Sequence, residues 1–121
     1  MATLDVLRHA HETVRFPAGS TILEEGRPGK LMYVVKDGSA DILVGGKVVA
    51  TVGPGEVFGE MSLIDDRAPR SAAVIARTDC ELAPVDEKRF LFLVQQTPYF
   101  AIQVMRVIAE RLRRMNEIVG R

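Results

Sequence analysis

Leu31-Met32-Tyr33-Val34-Val35-Lys36, Ser39-Ala40-Asp41-Ile42-Leu43-Val44 and Lys47-Val48-Val49-Ala50-Thr51-Val52 are three short segments rich in β-branched residues, joined by Asp37-Gly38 and Gly45-Gly46. Asp and Gly tolerate positive φ, so both dipeptides read as hairpin turns and the three segments as antiparallel strands. Upstream, Thr13–Phe16 and Thr21–Glu24 flank Pro17-Ala18-Gly19; downstream, Arg70–Arg77 and Cys80–Val85 carry the same composition. Turn signals recur roughly every eight to twelve residues, the spacing of an antiparallel sandwich or barrel.

The rhythm is interrupted twice. Gly53-Pro54-Gly55 breaks the strand before Phe58-Gly59-Glu60, and Met61-Ser62-Leu63-Ile64 then reads as one turn of helix between strands. After Val85 the period lengthens. Asp86 is an N-cap for a helix over Glu87–Gln96, and Thr97-Pro98 is a second start signal, a capping residue followed by proline. In that second helix Ala101, Met105, Ile108, Leu112, Met115 and Val119 recur at spacings of four and three, widened by Val104, Val107 and Ile118, so the helix is expected to pack on more than one neighbour. Leu4–His11 reads as a short helical lead. With no repeat and no long linker, residues 1–121 are expected to be one domain: a lead at 1–12, a β unit at 13–86 and terminal helices at 87–119.

Composition narrows the function. Sixteen Lys and Arg balance sixteen Asp and Glu, which leaves no global basic field to hold DNA, RNA or an anionic membrane. The apolar runs fall short of the roughly 18 to 20 residues of a bilayer span, and the start has no signal-peptide layout, so the expected location is cytoplasmic. The single cysteine, Cys80, cannot close an intramolecular disulfide or build a four-Cys metal site, and core packing is its expected role. Both histidines, His9 and His11, lie in the lead, and no candidate strand holds a histidine that could ligate a catalytic metal inside a barrel. No catalytic residues, no metal and no cofactor are expected; the chain reads as a non-enzyme.

The stretch from Gly55 to Val74 supplies the parts of an anion pocket instead. Gly59 lets the backbone come close, a helical turn at Glu60–Ser62 offers unpaired N–H groups, and Arg70 follows the rigid Pro69 with a guanidinium suited to two phosphate oxygens. Glu60 suits such a place when its carboxylate faces a hydroxyl donor such as a ribose, and phosphate with sugar hydroxyl suggests a nucleotide. Plainer readings stand beside these: Gly59 ending a strand, Glu60 capping a helix, Arg70 pairing with Asp65 or Asp66. They do not explain why all of these residues occur together in register.

Phe58-Gly59-Glu60-Met61-Ser62-Leu63, followed by Pro69-Arg70-Ser71-Ala72, resembles the phosphate-binding cassette of the cyclic nucleotide-binding domain. That regulatory module is shared by bacterial regulators of the catabolite activator type, protein kinase A regulatory subunits and cyclic nucleotide-gated channels. Glu25-Gly26-Arg27-Pro28-Gly29, Met32–Val35 and Gly38 form a second family-like block. The resemblance implies a mainly β fold with α, an antiparallel β-barrel of the jelly-roll (double-stranded β-helix) kind with a cassette helix and two C-terminal helices. It also implies roles. Phe58 opens the cassette, Gly59 admits the ligand, the backbone of Met61 and Ser62 meets the phosphate, Glu60 takes the ribose 2′-hydroxyl, Arg70 neutralises the phosphate, and Ser71 and Ala72 line the other side. A serine after the arginine leans to cAMP, with cGMP as the second ligand.

The bacterial transcription factors of this family continue into a helix-turn-helix after the long helix, whereas this chain ends at Arg121. The expectation is therefore a cyclic-nucleotide sensor without its own DNA-binding, catalytic or membrane segment. In the family the last helix closes over the base and, in bacterial regulators, forms a dimer seam. The expected partners are thus the nucleotide and either a second copy through that helix or an effector protein. The alternative is an interaction module of the same fold with an unused or altered pocket.

Overall fold

Alternation along Met32–Asp37 (β3) shows how the molecule is layered. Tyr33 and Val35 belong to one buried cluster, whereas Met32 and Val34 belong to another. Successive strand side chains point to opposite faces, so a strand buried on both faces lies inside a three-layer stack. A computed structural model describes residues 12–64 and 69–119. The lead expected at Leu4–His11, with His9 and His11, and the pairing alternatives at Asp65 and Asp66 lie outside the described residues.

The remaining strands are Val14–Phe16 (β1), Thr21–Leu23 (β2), Ala40–Val44 (β4), Lys47–Val52 (β5), Val57–Phe58 (β6), Ala73–Ala76 (β7) and Cys80–Val85 (β8). They form two four-stranded antiparallel sheets, β1-β8-β3-β6 and β2-β7-β4-β5. Leu23, Ile42, Val52 and Val74 of the second sheet pack with Tyr33, Val35, Phe58 and Leu82 of the first, filling the space between them. Cys80 is part of this core. The sheets do not close into the expected barrel. Short strands of two or three residues, β6, β1 and β2, stand at sheet edges, too short to continue a ladder round a corner. The two-residue β6 also escaped the sequence reading.

The Gly45-Gly46 hairpin forms as read, with φ of 59° and 79° at its two glycines, the sign that a type I′ turn requires at both central positions. The hairpin expected at Asp37-Gly38 does not form: β3 and β4 belong to different sheets, and this turn carries the chain from one to the other. Three helices follow the expected order: Met61–Ile64 (α1), Glu87–Gln96 (α2) and Tyr99–Val119 (α3). Asp86 caps α2 as predicted, its Oδ1 accepting from the Arg89 N–H at 2.7 Å. Thr97 O accepts the Phe100 N–H at 2.9 Å, starting α3 at the Thr97-Pro98 signal.

The outer face of the first sheet packs on these helices through Met32, Val34, Val57 and Val85 against Leu93, Phe100 and Val104. Phe100 has no exposed surface, and burying a ring of this kind contributes roughly 2–3 kcal/mol. Here the expected seam is corrected in part. The inward stripe of α3 runs Phe100, Val104, Val107, Ile108, of which Val104, Val107 and Ile108 belong to the expected widened seam, while Met105 and Leu112 are exposed; the seam calls at Met115, Ile118 and Val119 fall outside the described side chains. A 3.6-residue helix drifts off a strict seven-residue repeat, so the side facing this sheet is not the four-and-three seam.

Candidate functional site

Arg70 sits just before β7, where its own backbone is clasped by the turn after β2: the Arg70 N–H donates to Arg27 O and the Gly26 N–H to Arg70 O, both at 2.8 Å. This clasp joins the two sequence blocks that stand some forty residues apart. The side chain turns inward and is 8% exposed. Its Nη1 donates to Ser62 Oγ at 2.8 Å and to Gly59 O at 3.2 Å. Burial pushes the guanidinium pKa down, opposed by Tyr33. Among the described residues no carboxylate pairs with this cation. A buried charge that its described neighbours meet only with neutral oxygens carries a desolvation cost, which an anion in reach would offset.

Gly59 ends β6 with φ of 79°, a region L side chains rarely adopt. That reversal directs the chain into α1, whose turn closes with Ser62 N–H to Gly59 O at 3.3 Å and Leu63 N–H to Glu60 O at 3.1 Å. The Ser62 N–H, expected to be unpaired, is therefore engaged within the turn. Ser62 and Glu60 are buried, whereas Met61 is exposed on the same turn.

These groups open on a cavity of about 340 Å³, within the range of small-ligand sites. All eight residues singled out in the sequence, Phe58, Gly59, Glu60, Met61, Ser62, Arg70, Ser71 and Ala72, line it. Phe58 does so as core, its ring stacked on its strand neighbour Tyr33 at 5.4 Å. The apolar wall comes from the second sheet, with Leu23, Ile42, Val44, Val49 and Val74, and from Ile108 and Leu112 of α3. The polar side chains are those of Glu60, Ser62, Arg70, Ser71 and Arg111.

Arg111 of α3 is a lining residue that the sequence analysis did not single out. Its Nη1 lies 2.8 Å from Glu60 Oε1 and 3.1 Å from Oε2, and its Nη2 donates to Val57 O. The signal was present: Arg111 follows Val104 and Ile108 by seven and three residues, so it is a charge on an apolar stripe. No group of three or more His, Cys, Asp or Glu side chains among the described residues could hold a metal ion. No helix among them is long and apolar enough to cross a membrane.

Comparison with known proteins places this geometry. Residues 13–97 match the family described as the cyclic nucleotide-binding domain. The chain is 39% identical over 83 residues to a cAMP-dependent protein kinase regulatory subunit of Aspergillus niger, covering 67% of this chain and 20% of the relative. It is 36% identical over 103 residues to the cyclic AMP receptor protein of Thermus thermophilus, covering 81% of this chain and 47% of that one. The crystal structure of the Thermus thermophilus catabolite activator protein superposes with a TM-score of 0.78 at 31% identity, over 98% of this chain and 57% of that one. The chain thus spans between a fifth and about half of the length of these curated relatives.

Proposed function

The chain belongs to the cyclic nucleotide-binding domain family, and on that premise we propose that it is a cAMP-binding regulatory module, one domain over its whole length, with cGMP as the weaker ligand. The observation that carries this reading is Arg70: a buried cation, without a described carboxylate partner, opening on a cavity of small-ligand size. In this proposal the cyclic phosphate sits against Arg70 and the Met61–Ser62 backbone. The ribose 2′-hydroxyl donates to Glu60, whose oxygens have lone pairs beyond those that Arg111 occupies. Gly59 gives the ligand room, Phe58 backs the cavity, and Ser71 and Ala72 face the ligand from the other side. The base lies among the apolar side chains, with Ile108 and Leu112 of α3 as its cover.

In this reading the module acts in the cytoplasm by binding and shape change. Its output passes to a second copy through α3 or to an effector protein. Titration calorimetry with cAMP and cGMP tests the reading. A charge-assisted contact to a partly buried phosphate is worth roughly 1.5–3 kcal/mol, so Arg70→Ala is expected to weaken cAMP binding about ten- to a hundredfold or more. Glu60→Ala costs less. Ser71 supports a preference for cAMP of about tenfold, the worth of one hydrogen bond. No heat with either nucleotide, or unchanged affinity in Arg70→Ala, overturns the reading.

A further inference from the structure

Gly29 lies in the loop between β2 and β3, outside the cassette, and its position is decided by what it touches. A Cβ placed on it would stand 2.3 Å from Arg70 Nε and 2.5 Å from both Cζ and Nη2. No side chain fits there while the guanidinium keeps its place. The backbone is not the reason for the glycine, because Gly29 is absent from the positions with positive φ. Space alone excludes a side chain, and the atoms in the way are the far end of a long, flexible side chain. Gly59 differs. A Cβ there would come 3.0 Å from Arg70 Nη1 and 3.1 Å from Leu31 O, at a φ of 79°, so it answers to conformation and space together.

We propose that Gly29 is a positioning residue for the anion site, the seat that lets the Arg70 guanidinium lie where it meets the ligand phosphate. The inference rests on the reading of Arg70 given above. Nη1 is held by Gly59 O and Ser62 Oγ, and among the described residues Nε and Nη2, the two nitrogens beside Gly29, have no such partner and are the donors offered to two phosphate oxygens. A methyl group at Gly29 displaces those donors while the fold stays intact. In an ordinary backbone region, Gly→Ala itself leaves stability unchanged or raises it through the unfolded chain.

The test compares the parent chain, Gly29→Ala, Arg70→Lys and the double variant by calorimetric titration with cAMP, each with its thermal midpoint. Gly29→Ala is expected to melt no lower than the parent and to bind cAMP at least tenfold more weakly. Lysine has no guanidinium for the methyl to meet, so adding Gly29→Ala to Arg70→Lys changes affinity less than twofold. The ligand-free ¹H–¹⁵N spectrum gives a second readout, in which the Arg70 Nε–H resonance moves in Gly29→Ala while the core amides of β3 and β8 do not. Parent-like cAMP affinity with an unmoved Nε–H resonance overturns the inference, as does an equal loss in both backgrounds, which would mark a general disturbance of the loop. A parent chain that binds no cAMP overturns the functional reading and this inference with it, an outcome separate from a parent that binds and a Gly29→Ala that binds equally well.

Discussion

Arg111 reaches from the last helix to the carboxylate of Glu60 at the mouth of the cassette, with Nη1 2.8 Å from Oε1 and 3.1 Å from Oε2. The Glu60 side chain is 4% exposed and that of Arg111 22%. One ion pair thus ties α3 to the turn that carries the candidate anion site. Removing the cation strands a buried carboxylate, and Arg111→Ala is expected to cost about 2–3 kcal/mol of stability. Arg111→Lys keeps the charge but loses the fork that also serves Val57 O, and should fall between. Urea denaturation of the three proteins checks this; equal midpoints would show that the pair contributes nothing to docking the helix.

The parts of the fold legible in the sequence are those with local chemical causes. Strand ends fell at Asp37-Gly38 and Gly45-Gly46, and α2 at Asp86, because turn and cap signals act within a few residues. The cassette was legible through its grouped residues. Three features depended on distant partners and were not. The two-residue β6 exists because Val57 and Phe58 pair with Val34 and Tyr33; the inward face of α3 is chosen by the first sheet; and the Glu60–Arg111 pair spans 51 residues. Closure into a barrel is likewise a property of sheet edges, which period-2 alternation does not report.

Acid sensitivity follows from Glu81 on β8. Thr13 Oγ1 donates to its Oε2 at 2.6 Å and Lys36 Nζ lies 3.7 Å away, and the Thr13 hydrogen bond is the main cause holding the carboxyl below the usual glutamate range. The folded-state pKa is the lower one, so the contribution is present above the unfolded-state value and is lost as pH falls through the folded-state value. Thr13→Val is expected to flatten part of the stability loss on the acid side, and Glu81→Gln to remove this group's share altogether. Denaturation midpoints measured from neutral to acid pH decide it, and identical acid slopes in all three proteins would rule the contribution out.

Cys80 is expected to be inert in the folded protein. The residue is 3% exposed, and Sγ donates to Ser39 O at 3.0 Å. Burial pushes its pKa up, with Asp79 and Asp37 adding to the effect, so the reactive thiolate is scarce at neutral pH. A colorimetric disulfide reagent should react only at the rate of unfolding and stoichiometrically in denaturant. Rapid reaction in native buffer would contradict the packing of β8 against the second sheet.

Ligand binding should be felt by α3 as well as by the cassette. A ligand shifts an equilibrium only by its differential affinity for the two states, so transmission requires contacts that differ between them. Glu60 offers one, because its carboxylate serves both Arg111 of α3 and, in the proposed complex, the ribose. Ile108 and Leu112 offer a second, since they line the same cavity, and Leu112 is still largely exposed there. A terminal helix packed on one side of a sheet opens more easily than β3, which is buried on both faces over Met32–Val35. We expect cAMP to slow amide exchange over Thr97–Val119 and Phe58–Ser71 while leaving Leu31–Val52 nearly unchanged, and Arg111→Ala to reduce the protection of the helix more than that of the cassette. Hydrogen-exchange mass spectrometry with and without cAMP measures this directly. Protection confined to Phe58–Ser71 would mean a passive pocket, in which the nucleotide binds without closing the helix over it.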